Sequence, residues 1–166
     1  MNAQSLKELQ APLKQKYQDQ PASAMITLKA SAKIGDGITC KVETGKAMIE
    51  AGLHPATGGD GLSACSGDML LESLVACAGV TLKAVATAIG VELRDATIMA
   101  EGDLDFRGTL AVDKQTPVGF QKIRLNFELD TAAAPEQIDT LIKLTERYCV
   151  VYQTLIKSPA ITVTHR

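Results

Sequence analysis

Tryptophan is missing from this sequence of 166 residues, and phenylalanine and tyrosine bring the aromatics to only 4%. So few rings leave little for bases to stack on, which argues against a single-stranded nucleic acid as partner. The formal net charge is -2 and no basic cluster stands out, which argues against duplex binding too. Histidine is nearly absent, with His54 and the near-terminal His165 the two present. There is no Gly-x-Ser-x-Gly elbow, no phosphate-binding Gly-Lys-Ser/Thr loop and no His-Glu-x-x-His pair. The thioredoxin-type Cys-x-x-Cys is absent as well. Residues 1–20 are polar and hold no apolar run, so no secretory signal is expected. The longest weakly charged stretch, residues 69–88, is interrupted by Glu72 and Lys83. Those charges make it a poor membrane span and a good candidate for a buried helix.

What is present fits a soluble globular chain: 46% apolar and 22% charged residues, long enough to bury a core. A cytoplasmic location is expected. Four cysteines in that setting point to free thiols, reactive residues or ligands rather than a disulfide framework.

The pattern predicts a helical arm over residues 5–18, within an N-terminal segment 1–20 that precedes a single domain at 21–166. Ser5 and Glu8 have capping-box spacing, Leu6, Leu9, Leu13 and Tyr17 recur at helical intervals, and Pro12 predicts a kink or break. Residues 25–30 and 38–43 read as a hairpin around Gly35-Asp36-Gly37. Residues 51–67, rich in glycine, read as an ordered loop. A long helix is expected over 67–89, with Ser66 as N-cap, Asp68 in the first turn and Gly90 as the stop. It is apolar on almost every face and so reads as the central buried helix. Strands are expected over 97–107 and 119–130. Pro135 then opens a second helix that runs, with a break, through Cys149 to Leu155, and residues 160–164 form a last strand. The order implies an α+β fold, a sheet packed on helices.

The cysteines are Cys40, Cys65, Cys77 and Cys149. Cys77 sits mid-helix between Ala76 and Ala78, and residues alone allow either a small buried hydrophobe or a reactive thiol. Ser73 and Thr81, four residues to either side, make its stripe more polar than a plain core seam. A reactive cysteine must form a thiolate, which burial alone opposes, so a cation or hydrogen-bond donors must reach it from another segment or subunit. Cys149 has the same two readings, with Arg147 and a helix boundary beside it. Cys40 and Cys65 read as structural or incidental. A metal site from His54, Cys65, Cys77 and Cys149 fits no zinc spacing.

Two segments resemble the OsmC/Ohr family of thiol-dependent peroxidases. One is Ser66-Gly67-Asp68-Met69-Leu70-Leu71-Glu72-Ser73-Leu74-Val75-Ala76-Cys77, similar to the acidic-Leu-Leu helix that carries the family's reactive cysteine. The other is Cys149-Val150-Val151-Tyr152-Gln153-Thr154-Leu155, similar to the segment of its second cysteine. The resemblance implies an OsmC-like fold, with antiparallel-rich sheets on two main helices in an intertwined homodimer. It implies that Cys77 attacks an organic hydroperoxide and that Cys149 resolves the sulfenic acid to a disulfide. A dithiol, lipoyl-type in the best-known members, then restores the thiols, with no metal or organic cofactor, no nucleic acid and no membrane involved. The chain departs from the family in one respect: no arginine precedes Arg94, and the early strands offer only Lys29, Lys33 and Lys41. Asp68, Arg107 and Arg147 are the charged candidates for activating or shaping the site, with Ser73 and Thr81 as polar ones. The alternative is a small-molecule-binding or redox-sensing protein on the same scaffold, without efficient turnover.

Overall fold

The computed structural model describes residues 3–34, 40–42, 51–62 and 64–165. Helix α1 (Ala3–Asp19) leads into strands β1 (Met25–Ile34) and β2 (Cys40–Val42). The long helix α2 (Ser66–Ile89) follows, then β3 (Asp95–Asp105), the single turn α3 (Phe106–Thr109) and β4 (Lys122–Asp130). Helices α4 (Pro135–Tyr148) and α5 (Val150–Ile156) come last. The strands form one antiparallel sheet in the order β2-β1-β3-β4. The expected α+β architecture is therefore present.

Register follows from side-chain alternation along β3. Ala96, Ile98, Ala100 and Gly102 turn inward and are buried, whereas Thr97, Met99, Glu101 and Asp103 face outward. On the outer face Arg124 of β4 donates to Glu101 at 3.1 Å and to Asp103 at 2.6 and 2.8 Å, a cross-strand clamp that fits the pairing of Glu101 with Arg124. On the inner face α2 lies against β1 and β3, joining Leu71, Leu74, Val75, Ala78 and Leu82 to Ala96, Ile98 and Ala100 in one core. Leu141 and Cys149 close that core from the α4 side. A second, smaller core joins Tyr17 of α1 to Ala24, Phe106 and Leu110. There the Tyr17 hydroxyl donates to the Ala56 carbonyl at 2.7 Å, and His54 stacks on Phe106 with ring centroids 5.1 Å apart.

Several expectations need correcting. Helix α1 runs through Pro12 without a break, its C-terminal half held by Leu13 and Tyr17 against the second core. It begins at Ala3, so Ser5 lies inside the helix rather than at its cap. Helix α2 starts at Ser66, with Cys65 in the N-cap position, and ends as expected on left-handed Gly90. It is not buried all round. Leu70 and Val80 are each 38% exposed, and Ser73 and Thr87 share their open side. The sheet on one side and α4 and the short α5 on another leave part of the cylinder open, so a helix that is apolar on almost every face keeps an apolar stripe uncovered. Residues 160–164 form no strand. Ile161 and Val163 are 83% and 87% exposed, and no side chain from 157 to 165 is buried. Alternation makes a strand only where the chain meets a sheet edge. The expected turn at Gly35-Asp36-Gly37 and the side chains of Lys29, Cys40 and Lys41 lie outside the described residues.

Gly102 fixes one detail of the sheet that bears on the site. A Cβ there would fall 2.3 Å from the Phe120 ring, so the ring sits where a side chain would otherwise be. We expect Gly102→Ala to push Phe120 out and to cost about 1–3 kcal/mol through overpacking. A melting curve should show Tm falling by about 2–4 °C per kcal/mol for a chain of this size. An unchanged Tm would mean that the ring is not seated this tightly.

Candidate active site

Helix α2 presents Cys77 a little over three turns from its start, on the border between its buried and open sides. Thr81, one turn further on, directs its hydroxyl at the same sulfur. The other half of the site comes from the junction of α4 and α5. At Cys149 the backbone leaves the helical region, with φ −71° and ψ 107°. Cys149 closes α4 through its N–H on the Thr145 carbonyl at 2.9 Å. It also opens α5, its Sγ accepting the Tyr152 N–H at 3.5 Å. The first amides of α5 have no carbonyl one turn back to bond, and those of Val150 and Val151 donate to Cys77. The two thiols are close enough that each shifts the other.

These contacts make the pair unequal. Burial pushes the Cys77 thiol up, but donation from the Val151 amide, Cys149, Thr81 and the Val150 amide outweighs it, so the net shift is downward. Cys149 is 1% exposed. Burial pushes it up to about 11, and the neighbouring Cys77 pushes the same way against the Tyr152 amide. Of the two, Cys77 is therefore the thiol drawn toward the thiolate and Cys149 the one held protonated.

The structure brings together Cys77, Cys149 and Thr81. Ser73 is exposed one turn before Cys77. Asp68 sits in the first turn of α2, about 13 Å from Cys77 along the axis. Burial raises its pKa and the nearby His54 counters this. Arg107 is engaged elsewhere: its guanidinium grips Asp105, itself buried, at 2.6 Å beside the second core. Arg147 lies over the Tyr148 ring, 5.6 Å from its centroid, in the last turn of α4. The donors that the sequence reading missed are the amides of Val150, Val151 and Tyr152. A backbone N–H carries no residue signature, and only the helix boundary near Cys149 hinted at them. Cys65 is half-buried at the start of α2, away from the pair. Among the described residues no group of three or more His, Cys, Asp or Glu side chains could hold a metal ion.

A groove of about 480 Å³ lies between β4 and α5, with Leu74, Phe120, Ile123, Phe127, Tyr152 and Leu155 as its apolar walls and Gln121, Lys122 and Glu146 as its polar ones. Leu74 is one turn from Cys77, and Tyr152 gives its amide to Cys149. A smaller hollow at Gly90, Val91 and Gln137 lies about 20 Å along α2 from Cys77.

Alkylation rates measure these assignments directly, because only the thiolate reacts. The Cys77 rate should rise with pH through a midpoint below that of a free thiol, about 8.5. Cys149 should stay unreactive until far higher pH. Thr81→Val removes one donor to the thiolate, so its midpoint should move up by about one pH unit. A wild-type midpoint at or above that of a free thiol would contradict the hydrogen bonding described.

Comparison with known proteins bears on the family and the fold. Residues 58–164 match the family model described as OsmC-like protein. No curated protein matches the chain. Among solved structures, the chain resembles an OsmC-like hydroperoxide resistance protein from Jannaschia sp. CCS1, with a TM-score of 0.58 at 18% identity, covering 83% of this chain and 91% of that one. It also resembles an OsmC-like protein from Mycoplasma pneumoniae, with a TM-score of 0.57 at 15% identity, covering 81% of this chain and 86% of that one. With the family match spanning well over half its length and both motif cysteines lying inside it, this chain belongs to the OsmC-like family.

Proposed function

We propose that the protein reduces organic hydroperoxides, with Cys77 as the attacking thiolate and Cys149 as the resolving cysteine. The observation that carries this reading is the juxtaposition, at the break between α4 and α5, of two thiols of opposite tendency, one lowered and one raised. The Cys77 thiolate attacks the terminal peroxide oxygen. The O–O bond breaks, the alkoxide leaves and takes a proton to become an alcohol, and Cys77 becomes a sulfenic acid. Cys77 now carries no negative charge, so one of the influences that held the Cys149 proton is gone. Cys149 loses that proton and attacks the Cys77 sulfur. The S–S bond forms and hydroxide leaves as water. A dithiol then reduces the disulfide by exchange and is itself oxidised to a disulfide. The hydrocarbon part of the substrate would lie along the apolar walls of the groove, whose Leu74 and Tyr152 are near neighbours of Cys77 and Cys149.

The same reading includes a homodimer. The open side of α2, where Leu70 and Val80 flank Cys77, is the face a second copy would cover. That would place Cys77 at the subunit boundary, reached from the groove rather than from open solvent.

Intact mass of the reduced protein after one equivalent of an organic hydroperoxide tests the chemistry. The expected product has lost two hydrogens, and peptide mapping should find Cys77 joined to Cys149. Cys149→Ser should stop at the addition of one oxygen on Cys77, and Cys77→Ser should consume no peroxide. Full turnover by both variants would sink the proposal. A disulfide that forms without sustained turnover on added dithiol would identify a redox sensor instead.

A further inference from the structure

Helix α5 is only seven residues long and buries no side chain completely. A helix that short does not hold itself in place in water. Yet two of its amides must stay on the Cys77 sulfur, and a hydrogen bond weakens steeply with misalignment. The backbone cannot fix the angle between α4 and α5, because the helix is interrupted at Cys149. One side chain does span the break. Gln153 Nε2 donates to the Glu146 carbonyl at 2.9 Å, in the last turn of α4 and seven residues away. That carbonyl is among those the ending of α4 leaves without an intrahelical donor. Among the described residues it is the one side-chain hydrogen bond joining α4 to α5.

We propose that Gln153 is a positioning residue for Cys77: by strapping α5 to the end of α4 it holds the Val150 and Val151 amides on the reactive sulfur. The inference rests on Cys77 being the reactive thiol of the proposed function. The partners that hydrogen-bond Cys77 are uncharged backbone and hydroxyl donors and the Cys149 thiol, which is the one titratable member of the set. Cys149 titrates far higher, so a change in the Cys77 profile reports the placement of the donors.

The test is the pH dependence of Cys77 alkylation in the full chain, with Gln153→Met and Gln153→Ala. Methionine keeps the length of the side chain and removes the donor. Both variants should move the Cys77 midpoint up by about one pH unit, the scale of losing one hydrogen bond to a charged group. Far-UV circular dichroism and a melting curve establish that each variant is folded. If Gln153→Met keeps the wild-type midpoint, Gln153 is only a helix cap or a packing group, and the proposal falls, whatever Gln153→Ala does. A raised midpoint in both variants supports the proposal. Should the wild type then consume no hydroperoxide, positioning stands and the peroxidase reading fails.

Discussion

An α-helix uses all but its first four amides internally. Had α4 continued past Tyr148, the N–H groups of Val150 and Val151 would have bonded to the carbonyls of Glu146 and Arg147. The extended backbone at Cys149 prevents this. It frees two donors at once, and α2 holds Cys77 where they point. It also frees the Glu146 carbonyl, which takes the Gln153 side chain. The sheet, the Ala96 and Ala100 floor and the Leu141 contact matter to the site because they fix α2 and α4 at the distance that break requires.

The same break separates the two thiols in character. A sulfur on the border of α2, met by several donors, is drawn toward the thiolate although it is half-buried. A sulfur sealed into the core, where burial outweighs the Tyr152 and Val151 amides, is held as a thiol. Their closeness reinforces the split, since the proton on one stabilises the charge on the other. Attack and resolution need this order: the first thiol must ionise early, and the second must keep its proton until the first has been oxidised.

Much of the fold was legible in the sequence. The weakly charged stretch of α2, its Gly90 stop and Pro135 at the head of α4 are local signals, and each became the expected element, while the strand expected over 97–107 is β3 at Asp95–Asp105, with Arg107 in the helical turn that follows. What failed depended on neighbours. The strand pattern at residues 160–164 found no edge, and the open side of α2 reflects how little the rest of the chain can cover. The two cysteines were legible from the motifs around them, and Thr81 from its position one turn beyond Cys77. The activating group was not: a cation or donors from another segment were expected, but residue types can point only to side chains. Arg107, the most conspicuous candidate, is taken by Asp105. The backbone amides that hold the place are invisible to any reading of residue types.

Activation by backbone donors has a consequence that activation by a guanidinium lacks. A neighbouring charge acts over several ångströms and tolerates misalignment, whereas a neutral N–H acts only in line and in contact. In the proposed cycle, undocking of α5 would take two donors from Cys77 and leave Thr81 of α2. Docking also covers Cys149, whose sulfur caps the same helix. The amide donors and the cover belong to one element, so they come and go together. A reductant reaching Cys149 must displace α5, and it thereby removes the donors that would have stabilised Cys77 as the departing thiolate. Attack on the more open Cys77 sulfur leaves α5 in place but expels Cys149, the weaker leaving group of the two. In the proposed cycle, re-reduction of the disulfide therefore opposes steric access to leaving-group quality.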